Sequence, residues 1–277
     1  MLSETLKHFI FVRFFPFQDP KFPHNVLDLN FLSTQLPLVQ NIFRSLENQT
    51  NKNFDLLFIM HQKFFDDSKY EIIFSDLKDS TILPLKFIKS GDISGLVKAA
   101  LDEYDFVIQS RMNFDDFIYK DAVEDTQSKV NECEKILGYG YCRGYGYAAG
   151  VLRFYCQLWN KGGHPMILQS LILKSSFAKN TSLFTLGTDH VNFKKNIKNF
   201  LERNGVEFSE NMFQQNTTTH AFIYFRHELS HFHLVFSKKK SMESVFSDRQ
   251  EVTPEDEITK KQPEEEFGFF HELKSIK

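Results

Sequence analysis

Tryptophan occurs once, cysteine three times, proline eight times and glycine twelve times in 277 residues. The three cysteines, Cys133, Cys142 and Cys156, form neither a CxxC pair nor an even framework. That excludes a disulfide-stapled scaffold and points to a reducing setting, with each thiol a small buried apolar group. So little glycine and proline excludes a fibrous chain, and 42% hydrophobic residues exclude a disordered one. No apolar run approaches the roughly 18–20 residues of a spanning helix. Met1–His8 has no secretory apolar core, so a cytoplasmic setting is the expectation. Charge of either sign is not in excess: Lys plus Arg number 33, Asp plus Glu 36, and the formal net charge is −3. That argues against nucleic acid as a partner. There is no GxSxG elbow and no P-loop, so serine hydrolase and P-loop NTPase readings have no support.

What is abundant is phenylalanine, 32 residues against 9 tyrosines. A codon bias is the simplest cause, but many of these residues fall in strand-like runs. His8–Phe15 and Phe54–Met60 read as buried strands, Thr81–Ile88 as a weaker edge strand with Pro84, and Tyr104–Gln109 as a fourth. Helical spacing over Leu36–Leu46 and Asp92–Leu101 lies between them. Strand alternating with helix predicts an α/β fold with a mostly parallel sheet flanked by helices. Ligands of such sheets sit at the carboxyl ends of the strands, here Arg13–Phe17, His61–Lys63 and Ser110–Asp116.

The middle of the chain changes character. Ile118–Leu137 reads as a long polar helix ended by Gly138 as its C-cap. Gly138–Gly150 holds five of the twelve glycines, alternating with tyrosine, and reads as short antiparallel strands or an adaptable loop. It lacks the continuation of a GxGxxG fingerprint; stacking on a sugar or a hairpin corner are the two readings left open. Val151–Trp159 and Met166–Leu173 read as strands joined by a Gly162-Gly163 turn, Asp189–Leu201 as a basic amphipathic helix and Ala221–Phe225 as a last strand. Ser237–Lys277 carries Lys238–Lys240, then Glu264–Glu266, then Phe267–Phe270, and reads as a flexible charged tail.

The sharpest chemical signal follows the fourth strand. Arg111, Asn113, Asp115 and Asp116 come at once after a buried run. Two adjacent carboxylates repel, and a hard divalent cation is one way to compensate them. Arg111 could clamp a phosphate with its fork. The competing reading is a solvated Asp pair capping the next helix. Arg13 has two readings as well, a nucleotide contact or a strand-end partner of a surface carboxylate. His227 and His231 stand four apart, a spacing that can hold zinc on a helix, but without a His-Glu-x-x-His order.

Asn48–Met60 (NQTNKNFDLLFIM) together with Phe106–Glu124 (FVIQSRMNFDDFIYKDAVE), and the strand ending in Arg13-Phe14, resemble a rhamnosyltransferase family of bacterial glycosyltransferases. The resemblance spans roughly residues 8–230. It implies a GT-A-like domain over 1–236, with 1–117 the nucleotide-binding half and 118–236 the acceptor half. It implies transfer of a sugar, such as rhamnose or another deoxyhexose, from a nucleotide-sugar donor to a glycan or lipid-linked acceptor in surface polysaccharide synthesis. It also implies a divalent metal, manganese or magnesium. By position, Asp115 and Asp116 match the acidic pair that holds the metal, Arg111 matches the family's arginine, and Arg13 and Asn113 fall beside the nucleotide. Asn113 departs from the pattern, which has Asp there. By analogy Asp189, just before a helix, would be the base of an inverting reaction, and His227 a late metal ligand; an N-cap and an ordinary histidine are the alternatives. Lys238–Lys240 would give the tail peripheral contact with anionic lipid at the inner face of the membrane. A non-catalytic nucleotide-sugar or glycan-binding module, with Asn113 marking a decayed metal site, is the second function in view, and a zinc hydrolase built on the late histidines the third.

Overall fold

The computed structural model describes residues 5–15, 25–114, 116–148, 153–158, 167–181, 185–186, 193–217, 219 and 222–226. Along β1 (Leu6–Phe14) successive side chains enter two different cores, Ile10, Val12 and Phe14 on one face and Phe9 and Phe11 on the other. A strand covered on both faces needs bulk everywhere, which is where the phenylalanines of the first half go. α1 (Leu29–Glu47) packs Leu32, Val39, Ile42, Phe43 and Leu46 onto the first face. It begins seven residues before the predicted start because Asp28 caps it, accepting the Asn30 N–H at 2.9 Å, and it tolerates Pro37 inside.

β2 (Asp55–Met60), the short α2 (Lys63–Asp66), α3 (Glu71–Asp79), β3 (Leu85–Lys89), α4 (Ile93–Glu103) and β4 (Phe106–Asn113) complete the alternation. β3 lies at the edge of the sheet, as Pro84 suggested. α4 buries Val97 and Leu101 on the second face. Next come β5 (Asp116–Ile118), α5 (Ala122–Ser128), β6 (Ile136–Tyr141), β7 (Arg143–Ala148), β8 (Arg153–Leu158), β9 (Ile167–Lys174), the short α6 (Ser175–Ala178), α7 (Phe193–Arg203), β10 (Phe213–Asn216) and β11 (Phe222–Arg226).

The main sheet has seven strands in the order β10-β6-β9-β4-β1-β2-β3. β1 pairs parallel with β2 and β4, β2 with β3, and β10 with β6. β9 alone runs antiparallel, between β4 and β6. This mostly parallel sheet between helices is the expected α/β class. A second sheet has the order β5-β11-β7-β8 and is mixed, because β11 runs parallel to β7.

Three expectations of the middle region fail. Ile118–Leu137 is not one helix: Ile118 closes β5, α5 stops at Ser128 and Ile136 opens β6. Its apolar spacing suited a helix, but the strand neighbours β9 and β10 recruit its end. Gly138 is therefore no helix cap but a mid-strand residue. A Cβ there would collide with the Ile197 side chain of α7 and lie 2.8 Å from the Phe213 ring. β8 and β9 do not form a hairpin either, since β8 pairs with β7 and β9 with β4 and β6. Gly162-Gly163 and the tail, 237–277, lie outside the described residues.

A polar chain threads the core. His8 is buried on β1, with Nε2 2.7 Å from Ser110 Oγ, which is 2.6 Å from Ser170 Oγ on β9. Gln127 Nε2 donates to Asn53 O at 2.8 Å while Asn51 Nδ2 donates to Gln127 Oε1 at 3.0 Å, which fixes the amide orientation. Gln127 Nε2 also meets His8 Nδ1 at 3.2 Å, so Nδ1 is the acceptor and the imidazole proton sits on Nε2. Ser110 then donates to Ser170, and Ser170 to Leu168 O at 3.3 Å. Burial pushes His8 down to about 3.

Gly138→Ala is expected to cost about 1–3 kcal/mol by overpacking, read as a lower urea midpoint. His8 gives a pH signature. Above its ordinary value of 6.5 it is neutral in both states, and its contribution is intact. Between 6.5 and about 3 the unfolded chain takes a proton that the folded chain refuses, so stability falls with acid by up to about 1.4 kcal/mol per pH unit. The urea midpoint of His8→Gln should therefore vary less between pH 6.5 and pH 4 than that of the parent.

Candidate functional site

The strand order reverses at β1: β2 and β3 extend to one side and β4 lies on the other. The carboxyl ends of β1 and β4 thus meet at a topological switch point, where open α/β sheets take ligands. Arg13 and Asn113 are register partners there. Arg13 continues the face of Phe9 and Phe11 by alternation, and Asn113 shares it through the pairing. Arg111, two residues earlier on β4, lies on that face too and pairs in register with Phe11 and with Gln169 of β9. Arg111 is buried, as are Gln169 and Asp116. Burial pulls Arg13 down to about 10, which leaves it charged at neutral pH.

The turn from β4 to β5 is anchored by Phe114. Its ring meets Phe14 at 5.2 Å and Phe15 at 5.1 Å between centroids, and Phe15 in turn meets Phe31 at 5.4 Å. Phe15 has φ of 47°, a left-handed turn that a bulky residue adopts only when its surroundings hold it. With Phe114 folded back onto the first core, Asn113 Nδ2 donates to Asp116 Oδ2 at 3.0 Å. The structure therefore brings together Arg13, Arg111, Asn113 and Asp116. Asp115, Asp189 and His227 lie outside the described residues.

The residues that hold Asp116 in place escaped the sequence reading. Ser45, near the end of α1, accepts the Ile118 N–H at 2.8 Å and donates to the Ile118 carbonyl at 2.8 Å. Its hydroxyl does for β5 what a neighbouring strand would. Gln49 Nε2 donates to Ser45 O and to Tyr119 O, and its Oε1 accepts the Val123 N–H at 3.1 Å. The Thr50 N–H donates to Lys120 O at 2.8 Å, and the Thr50 hydroxyl lies 2.9 Å from Asp121 Oδ1. So Gln49-Thr50, quoted above as half of a resemblance, is physically a clamp on the other half. The signal was present in the spacing of the two blocks, but nothing local says that they touch.

Beside the clamp, Tyr139 and Tyr141 both donate to Asp125 Oδ2 at 2.7 Å. Burial is the largest cause raising both phenols well above their ordinary value, and they stay protonated donors. Cys133 and Cys142 are buried, as expected, and burial raises both thiols, to about 12 and about 11.

Asp116 is the described residue of the acidic pair that could hold a divalent ion; one of its oxygens accepts the Asn113 amide N–H, and Arg13 and Arg111 stand on the neighbouring strand ends. Among the described residues no three His, Cys, Asp or Glu side chains gather as metal ligands. No described helix is long and apolar enough to cross a membrane.

No family profile matches the chain, and no curated protein matches it in sequence. Solved structures are similar in layout. S. aureus TarS is 13% identical with a TM-score of 0.39, over 81% of this chain and 37% of that one. TarS 1–349 in complex with UDP is 14% identical with a TM-score of 0.40, over 80% of this chain and 61% of that one. The 4-diphosphocytidyl-2C-methyl-D-erythritolsynthase of Anaerococcus prevotii is 7% identical with a TM-score of 0.39, over 84% of this chain and 94% of that one. The chain thus spans less than two thirds of either TarS chain.

Ser45→Ala leaves the Ile118 N–H and carbonyl without their shared partner inside the protein. It should lower stability by about 1–3 kcal/mol in urea unfolding.

Proposed function

We propose that the protein is a glycosyltransferase that moves a sugar from a nucleotide-sugar donor to a glycan or lipid-linked acceptor. The observation that carries this reading is the placement of Arg13, Arg111, Asn113 and Asp116 at the switch point of the parallel sheet. Basic forks at that position suit a diphosphate, and the resemblance of the two clamped blocks to a rhamnosyltransferase family supports the sugar, with a deoxyhexose as the first donor to try.

In the reaction the acceptor oxygen forms a bond to the anomeric carbon. The bond from that carbon to the diphosphate oxygen breaks, and its electron pair leaves on the diphosphate. Charge grows on the leaving group, so guanidiniums fixed beforehand lower the barrier. Asp116, by accepting the Asn113 amide, holds the end of β4 in one conformation. Asp189 is our candidate for the base that takes the acceptor proton, which would make the reaction inverting. Contact of residues 237–277 with a membrane surface would bring the enzyme to a lipid-linked acceptor.

The second reading, a binding module without turnover, is favoured by the amide at Asn113, where the resemblance has a carboxylate. One experiment separates the two. A panel of nucleotide-sugars is screened for thermal protection and for donor hydrolysis or transfer. The transferase reading expects one donor to protect and to turn over. Asp116→Ala, which leaves the Asn113 amide without this acceptor, should reduce turnover by about 100-fold or more while far-ultraviolet circular dichroism stays like the parent's. Unchanged turnover in that variant would sink the assignment, and protection without turnover in the parent selects the binding module.

A further inference from the structure

We propose that residues 264–270 of this chain, Glu-Glu-Glu-Phe-Gly-Phe-Phe, dock along the open edge of the main sheet as a further strand beside β3. These residues lie outside the described ones, and the proposal stands on the surface they would meet.

β3 has β2 on one side and no described strand on the other. Every second residue of such a strand turns its N–H and carbonyl to the open side, where an extended segment can pair with them. Pro84 stands before the strand and none lies within it, so β3 keeps all its donors. The Lys89 N–H donates to Asp92 Oδ2 at 3.3 Å, which closes one end of the edge.

Apolar surface accompanies this backbone. Phe87 of β3 meets Phe74 of α3 at 4.7 Å between ring centroids, and Phe74 meets Phe65 at 5.4 Å. All three rings are half-buried, as are Leu83 and Leu85, and Ile82 is 85% exposed. Covering such a row with further aromatic side chains removes apolar area from water.

Charge selects the occupant. Lys78 Nζ lies over the Phe87 ring at 5.8 Å and Lys89 Nζ over the Phe65 ring at 5.3 Å, and among the described residues neither has a carboxylate in ion-pair contact. Lys86 of β3 reaches Asp55 at 3.4 Å. Lysines along an edge keep a like-charged strand away. A second β3 would bring its own Lys86 and Lys89 against these, which disfavours a copy of this edge and favours an acidic, aromatic segment. In 264–270 three glutamates precede Phe267 and Phe269, and strand alternation sets Glu265, Phe267 and Phe269 on one face. The phenylalanines then extend the Phe87 row while the glutamates meet the lysines. The stretch between Arg226, the last described residue, and Glu264 is long enough to reach any part of the surface. Lys238–Lys240, the residues of the membrane contact proposed above, take no part in this docking.

The test uses the full chain. Zero-length carbodiimide coupling joins an ammonium to a carboxylate only where they touch, and peptide mass mapping reads the pair. Lys78 or Lys89 should couple to Glu264–Glu266, and in a mixture of isotopically heavy and light chains each coupled pair should be all heavy or all light. Amide hydrogen exchange gives a second readout. Phe267→Ser with Phe269→Ser should speed exchange in β3 at least tenfold while β1 and β4 exchange as in the parent. Lys78→Glu with Lys89→Glu should do the same, and adding Glu264→Lys, Glu265→Lys and Glu266→Lys should restore the protection. Should the Phe variant loosen β1 as well, the charge swap decides, and a swap that restores nothing overturns the proposal. Mixed heavy–light pairs overturn docking within the chain and assign the edge to the tail of a second copy. No coupling to 264–266, or β3 exchange unchanged in the Phe variant, overturns it outright.

Discussion

The backbone of Ile118 sits buried between α1 and the core, with β11 on one side of its strand and a helix on the other. A helix offers no ladder of N–H and carbonyl groups, so a buried strand edge against it carries an unmet demand for hydrogen bonds. Ser45 meets that demand at both atoms, and Gln49 and Thr50 extend the same service to residues 119–123. The placement of Asp116, the turn at Phe114 and the orientation of Asn113 all follow from this junction. The candidate site is therefore assembled from α1 inward, and not only from the strands whose ends it occupies.

The electrostatic treatment of the buried groups divides along the sheet. On one face His8 is kept neutral by burial and locked in one tautomer by an amide whose own orientation is fixed by two backbone-linked partners. On the other face Arg13 keeps its charge, because burial lowers its guanidinium only to about 10. The same sheet thus carries a neutral polar chain inside and fixed positive charge toward its open end.

The first half of the chain was legible because each strand is a short apolar run and each helix has a 3.6-residue stripe, with few glycines or prolines to confuse them. That Arg13, Arg111, Asn113 and Asp116 lie at one end of the sheet was legible for a related reason: each stands at or next to the end of an apolar run. The middle was not legible. Val123, Val130 and Ile136 fit a helical stripe, yet Ile136–Tyr141 became a strand because Leu171, Leu173 and Phe213 offered it neighbours. Ser45, Gln49, Thr50 and Gln127 were missed because their partners lie 70 or more residues away, and a polar residue near a helix end carries no mark of that. Phe114 stood out as an odd residue among acids, and its packing on Phe14 and Phe15 accounts for it.

β9 also bears on how the chain reaches this state. It is the one reversed strand, and β6 joins the sheet only through it, as β10 joins only through β6. The sheet therefore closes in a fixed order. Strands β1 to β4 can pair among themselves, while β6, although made earlier than β9, must wait for it. Such late, long-range pairing is slow, and it leaves two hydrophobic edges exposed in the interim. Three of the seven strands, β9, β6 and β10, thus depend on the single pairing of β9 with β4 for their place in the sheet.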